Sequence, residues 1–373
     1  MAIFTAGANQ RPRNGRRGRR VGWVILLLAM VGIVIFGLTP APYAIESPGP
    51  VFNTLGTTSV NGQTVPVLSI TGHPTHPTSG ALDMLTVNLD GDPSSSPSWV
   101  EIASAWFDPS EAVVPLNELY APQETVKQSN AESTAEMTES QQSATAAALY
   151  EQGIKFTTTI TVTGVIKGSP AVGVLKTGDV VTSVNGTVPV DATQLHNIVV
   201  ANGFAKPLTI DIVRAGKAQT VKVTPTEGPT DNPGPIVGIY LGEKFDFPFQ
   251  VKIQLQDVGG PSAGQMFALG IIDKLTDGHL NGGKHVAGTG TITASGDVGA
   301  IGGIRQKMYG AKAAGATYFL APASNCGGSD GVRGHIPAGL TVFATSTLKQ
   351  SVADLQAIAK GGDLSSLQTC DTK

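Results

Sequence analysis

Cysteine is nearly absent: Cys326 and Cys370 are the only two among 373 residues, so the chain can close at most one disulfide. Charge is scarce too, at 14% Asp, Glu, Lys and Arg, where soluble domains carry about 25%. The polar load falls instead on Ser, Thr, Asn and Gln. Basic residues thin out further beyond position 20, where 19 Lys and Arg face 28 Asp and Glu. Such an acidic body predicts no nucleic-acid partner, because phosphates need a basic face. Aromatics reach only 6%, and the 46 glycines and 24 prolines fall below the share that marks a disordered chain. The length rules out one small module, so several folded domains joined by Gly- and Pro-rich loops are expected.

Long apolar runs are missing with one exception, VGWVILLLAMVGIVIFGL at residues 21–38, which carries no charge. At 1.5 Å per residue it is long enough to cross most of a hydrocarbon core of about 30 Å. It predicts a transmembrane anchor over 21–40. A cleaved leader has a shorter apolar region, and TPAPYAIESPGP offers only a poor cleavage site after Ala44. The 20 residues before it hold Arg11, Arg13, Arg16, Arg17, Arg19 and Arg20 and no acid. Positive charge stays in the cytoplasm, so residues 1–20 form a cytoplasmic tail and everything after residue 40 is expected outside, on a single-pass cell-membrane protein. That compartment permits a Cys326–Cys370 disulfide, which would pin the C-terminal tail; the pattern leaves open whether the two pair.

Residues 41–154 read as an extracytoplasmic N-terminal segment with strands at VPVLSI and MLTVNL and a long helix near 129–153. His73 and His76 form an H-x-x-H pair in a Pro-laced loop with no acid or Cys beside it, which reads as solvated loop and no metal site. From 155 to 226 the texture changes to short alternating runs: FTTTITVTGVI, a short helix begun by Ser169, a strand ending in the Asn185-Gly186 turn, the helix VDATQLHNIVVANG with His196 on its surface, and two more strands. GSPAVGVLKTGDVVTSVNG, residues 168–186, resembles the permuted bacterial PDZ domain of membrane-linked proteases. The resemblance implies binding of extended peptides or chain ends by strand addition. EGPTDNPGP, residues 227–235, is a linker by composition.

GGPSAGQ, residues 259–265, fits the G-x-S-x-G pattern of a nucleophilic serine and sits between the alternating strand PFQVKIQLQDVGG and a helix with apolar spacing through Met266, Phe267, Ile271 and Leu275. Ser262 is a helix cap or a nucleophile. An α/β-hydrolase elbow needs a strand covered on both faces, whereas this one alternates. It also needs an acid followed by a histidine, and His279, His285 and His335 lie in Gly- or Pro-rich loops, with Asp330 and His335 the one near pair. An α/β-hydrolase esterase is therefore the lesser alternative. Lysine can serve as base when desolvated. GGIRQKMYGAKAAGA, residues 302–316, reads as a helix whose stripe of Ile304, Met308, Ala311 and Ala314 includes Lys307, with Arg305 and Lys312 on another face. By itself such a lysine snorkels or functions.

GPSAG opening a helix, followed by AGTGTITASGDVGAIGGIRQK, resembles the proteolytic domain of the Lon family over residues 245–345. The likeness implies that Ser262 is the nucleophile, Lys307 the base, and Thr289 a hydroxyl that supports the lysine. It departs from the family at Gly259, where an Asp is common, and at Gln306, where an acid is common. With the anchor and the PDZ-like module, the chain resembles the YlbL-type membrane-anchored Lon-like serine proteases of peptidase family S16, whose actinobacterial members carry a late cysteine pair. The expected fold class is multidomain: one N-terminal transmembrane helix, a β-rich PDZ-like domain, an α+β Lon-type domain at 236–350 and a C-terminal tail at 351–373. The implied activity is ATP-independent cleavage of polypeptides outside the membrane, without cofactor or metal, by a homo-oligomer as Lon-type rings suggest.

Two other patterns fail. GHLNGGKH, residues 278–285, spaces its glycines and Lys284 as a P-loop does, but His285 stands where Ser or Thr holds magnesium and the element order is reversed. STLK, residues 346–349, matches S-x-x-K without the later motifs that chemistry requires. The remaining rival is a catalytically silent, membrane-tethered PDZ scaffold, which loss of Ser262 or Lys307 would have favoured.

Overall fold

The computed structural model describes residues 15–230, 233–329 and 331–370, with side chains from Arg20 onward. Arg11, Arg13 and Asp330 lie outside the described residues. The chain divides into two compact units, Met1–Ser47 with Leu89–Thr125 and Pro48–Asn88 with Val126–Lys373.

In the first unit, α1 (Gly15–Gly37) contains the apolar run, and its Arg20–Gly37 window is long and apolar enough to cross a membrane. Residues 43–46 pair antiparallel with Ala112–Pro115. α2 (Trp99–Ala105) opens on a capping box in which Ser98 and Glu101 satisfy each other's backbone N–H groups. It buries Ile102 and Ala105 beside Ala41 and Ile45. A single turn, α3 (Leu116–Leu119), follows.

The second unit holds two larger sheets and, among the described residues, four two-stranded ones. One of the larger two runs in the order Thr341–Thr345, Tyr318–Pro322, His285–Gly288, Ala81–Asp90, with all three pairings parallel. Its faces are covered by α6 (Gly264–Leu275), α7 (Ile304–Ala313) and α8 (Leu348–Lys360), whose stripes join the strands in two buried clusters around Phe267, Leu82 and Phe343 and around Met308, Phe319 and Val342. The other sheet has the order Lys217–Val223, Leu208–Arg214, Val180–Val184, Thr157–Val165, Ile239–Asp246, and closes on α5 (Ala192–Asn202) over its own core of Ile160, Val181, Leu195 and Ile210. This is mixed α/β architecture in several parts.

The elements cut across the boundaries expected from composition. Strand Leu68–Thr71 pairs with Gln250–Ile253 in a two-stranded sheet, and Ala81–Asp90 lies beside His285–Gly288, so strands from the expected N-terminal segment pair with strands of the C-terminal domain. Strand Ile239–Asp246, placed by sequence after the linker, is the edge of the five-stranded sheet. Both shifts follow from pairing partners far apart in the chain, Leu68 with Ile253 and Ala81 with His285 in the first case and Val165 with Ile239 in the second, which local pattern does not report. The short helix expected at Ser169 is a run of turns, because Ser169 Oγ donates to Gly238 O and caps nothing, and Gly173 enters the left-handed region at φ +80°. Helix α4 spans Val126–Glu151 and buries Met137, Ala144, Ala147 and Ala148 in the cluster that holds α6.

Candidate active site

Ser262 lies in the turn ahead of α6. The strand that leads to it is short, Gln250–Ile253, and ten residues of irregular chain separate it from the helix. That turn is held from behind by α4: Gly260 N–H donates to Ser133 O at 2.9 Å, and Ser140 Oγ donates to Pro261 O at 2.9 Å. Gly259 explains one departure from the family pattern. A Cβ at that position would lie 2.7 Å from Ser133 Cβ, so α4 occupies the space an aspartate would need.

Thr289 is brought to the serine by backbone pairing. Gly290 N–H donates to Ser262 O at 2.8 Å and Gln265 N–H donates to Gly290 O at 3.0 Å, which ties the chain after strand His285–Gly288 to the start of α6. Thr289 Oγ1 also donates to Ser262 O, at 2.9 Å.

Lys307 comes from α7. The helix begins at Gly303, whose φ of +64° is left-handed and whose missing Cβ would lie 2.6 Å from Val87 Cγ2. With the helix so anchored, Ile304, Met308 and Ala311 enter the core and carry Lys307 inward with them. Lys307 is 3% exposed and Thr289 1%. Its Nζ is hydrogen-bonded to Ser262 Oγ at 2.6 Å and to Thr289 Oγ1 at 3.2 Å. Three residues 45 positions apart at the extremes thus converge on one point, with the amine out of water and the serine half-buried. A buried amine is disfavoured as an ammonium by desolvation, which suits it to accept the proton of the hydroxyl it touches. Gln306, where an acid is common in the family, is buried, and its Nε2 has no hydrogen-bond partner among the described residues.

The histidines are engaged elsewhere: His279 with Ser79 Oγ, His285 with the Asp83 carboxylate, and His335 with Gly331 O. His73 and His76 are exposed. Among the described residues no group of three or more His, Cys, Asp or Glu side chains is placed to hold a metal ion. Cys326 and Cys370 are joined by a disulfide, and Arg333 adds hydrogen bonds to Cys370 O at 2.8 and 3.2 Å.

Sequence reading missed the groups that connect the five-stranded sheet to this site. Asp191, 2% exposed, caps α5 by accepting from Gln194 N–H at 2.6 Å and with its other oxygen accepts from Ser295 N–H at 2.6 Å, in the loop that follows Thr289. Glu243 on the edge strand accepts from Ala192 N–H, and burial holds its carboxyl above the usual carboxylate range. A cavity of about 810 Å³ lies here, lined among others by Glu139, Asp191, Leu241, Glu243, Thr291 and Thr293. The only local signal for Asp191 was its place as an N-cap; nothing in the pattern named Ser295 as its second donor.

Residues 256–357 match the Lon protease (S16) C-terminal proteolytic domain, and residues 132–224 match a PDZ domain. Lon protease 1 of Bacillus subtilis is 33% identical over 108 residues, which cover 29% of this chain and 14% of that protein. Lon protease 2 of Herpetosiphon aurantiacus is 36% identical over 108 residues, covering 29% of this chain and 13% of that protein. The chain therefore spans about a seventh of the length of these curated relatives. A PDZ domain from an SdrC-like protein of Listeria monocytogenes is 21% identical and covers 22% of this chain and 85% of that one, with a TM-score of 0.21.

Proposed function

We propose that this chain, which carries a Lon-type S16 proteolytic domain and a PDZ domain, is a serine endopeptidase that cleaves polypeptides through Ser262 and Lys307 without ATP. The observation that carries the reading is the 2.6 Å contact between Lys307 Nζ, buried, and Ser262 Oγ. The neutral amine takes the hydroxyl proton as Oγ attacks a peptide carbonyl. The N–H groups of Ser262, Ala263 and Gly264, at the positive end of α6, stabilise the resulting oxyanion, since Gln265 N–H is already committed to Gly290 O. Collapse of the tetrahedral intermediate passes the proton from Lys307 to the leaving amine and leaves an acyl-serine, which water, deprotonated by Lys307, then cleaves. Thr289 holds the amine in place from the other side.

Independence from ATP is supported by the matched region, which is proteolytic, and by His285 standing on a strand at the position a nucleotide site would give to Ser or Thr. The outer edge of Ile239–Asp246, opposite its pairing to Thr157–Val165, is where an extended peptide would add as a strand. The Asp191 and Glu243 contacts connect that region to the loop after Thr289. The apolar window Arg20–Gly37, with arginines ahead of it, supports a single membrane crossing with the proteolytic domain outside. Assembly into a homo-oligomer is carried over from Lon-type rings.

The test uses purified full-length protein in detergent with an unfolded polypeptide and no nucleotide, beside Ser262→Ala and Lys307→Ala. The expected result is cleavage by the parent and none by either variant. Cleavage surviving both substitutions refutes the dyad, and inactivity of a folded parent moves the chain to a membrane-tethered scaffold.

A further inference from the structure

Beyond the span itself, the most exposed aromatic side chains of the first unit sit together at the end of α2. Phe107 is 89% exposed, Trp106 63% and Val100 58%. Val100 near the start of α2 and Phe107 in the turn after its end, seven positions apart, lie on the side opposite the buried Ile102 and Ala105, and the C-cap residue Trp106 lies between that side and the buried one. The turn that presents them is built by local bonds: Trp106 N–H donates to Ile102 O at 3.1 Å, Phe107 N–H to Ser104 O at 3.1 Å, and the Asp108 carboxylate accepts from Ser110 N–H at 2.8 Å.

This face continues the apolar surface of α1. Phe36, in the last turn of α1, stacks on Trp99 at 5.7 Å between ring centroids. A Cβ at Gly37 would lie 2.9 Å from Val100 Cγ2, so α2 is seated directly on the end of α1 by the same face that bears Phe107. Trp106 lies seven positions after Trp99, about 10 Å at 1.5 Å per residue, comparable to the headgroup layer of roughly 5–8 Å on each side of a bilayer core. Electrostatics select the kind of surface. Residues 38–47 and 89–125 contain eight Asp and Glu and no Lys, Arg or His. Anionic headgroups therefore offer this stretch of the unit no attraction, and its contact rests on apolar burial alone.

We propose that Val100, Trp106 and Phe107 form a second, shallow membrane contact that rests in the headgroup and upper acyl layer of the bilayer crossed by α1, taking zwitterionic lipid through apolar contact. The inference rests on the reading of α1 as a membrane span. It gives the chain after α1 a fixed attachment at the membrane face, where the span alone would leave a swivel.

The experiment reconstitutes the full chain in phosphatidylcholine vesicles containing lipids spin-labelled either near the headgroup or deep in the acyl chain. Trp23→Phe with Trp99→Phe leaves Trp106 as the single tryptophan; Trp99→Phe with Trp106→Phe leaves Trp23. The expected result is loss of Trp106 emission with the shallow label, little loss with the deep one, poor access to aqueous iodide, and no change on adding phosphatidylglycerol or salt. The difference in quenchable emission between the parent and Trp106→Phe alone gives the same reading without touching Trp99. Quenching of Trp23 by lipid with Trp106 open to iodide overturns the patch while the span stands. If neither is quenched, the span reading falls and the proposal with it.

Discussion

Replacing Thr289 with valine removes one hydroxyl at nearly constant volume from a site that is 1% exposed. In the folded chain that hydroxyl does two things: it donates to Ser262 O at 2.9 Å and receives the Lys307 amine at 3.2 Å. The first loss is cushioned, because Gly290 N–H also donates to Ser262 O at 2.8 Å. No carbonyl is orphaned, and the stability cost should stay near 1 kcal/mol, the net worth of an ordinary hydrogen bond. The second loss bears on chemistry. A neutral amine has one lone pair, and an acceptor on its far side turns an N–H away from Ser262 so that the lone pair meets the serine hydroxyl. Without it the amine rotates, at a cost in transition-state positioning of about 1.4–2.8 kcal/mol, or roughly 10- to 100-fold in kcat. KM should hold within about twofold, since ground-state substrate binding does not involve Thr289. The assay is steady-state cleavage of an unfolded polypeptide, with thermal denaturation run in parallel, and Thr289→Ser should restore most of the rate. A valine variant that cuts at the parental rate, or whose loss is matched by unfolding at the assay temperature, refutes the positioning role.

Three further outcomes are expected. Asp354 is 4% exposed, and burial pushes its carboxyl up to about 6 from an ordinary 3.8, with Oδ2 lacking a hydrogen-bond partner among the described residues. Because the folded form holds this proton more tightly, the associated stability is complete below pH 4 and lost as pH rises through 6; Asp354→Asn should match the parent at pH 4 and exceed it by up to about 3 kcal/mol at pH 7 in urea denaturation, and an equal difference at both pH values would contradict the account. The disulfide links positions 44 apart, so its reduction should cost about 4 kcal/mol by chain entropy, and an unchanged denaturation midpoint in dithiothreitol would count against it. Gly259→Asp, which drives a Cβ to 2.7 Å from Ser133 Cβ, should displace the nucleophile turn and cut kcat at least about tenfold, with partial recovery in the double variant carrying Ser133→Gly; a fully active Gly259→Asp would show that α4 does not set the turn.

Much of this protein was written in local pattern. The uncharged run before residue 39, the Asn185-Gly186 turn and the apolar stripe of α7 each depend on neighbours a few residues away, and that stripe placed Lys307 on the apolar face while leaving its amine to snorkel or to act. Spacing also marked Ser262, since a serine between glycines at a helix start has few roles. What the chain order could not express is which distant segments meet. That α4 supplies Ser133 and Ser140 behind the nucleophile turn, that strands before residue 90 sit beside His285–Gly288, and that Asp191 bonds to the loop after Thr289 are all contacts across more than 100 positions. Such contacts are decided by which buried faces fit together once the chain has collapsed, and the same stripe of small residues on α4 would have served many partners. Sequence determined the chemistry available at Ser262 and Lys307; only tertiary packing brought an amine at position 307 to 2.6 Å from a hydroxyl at position 262, because that distance is the sum of helix, turn and sheet placements that no one segment contains.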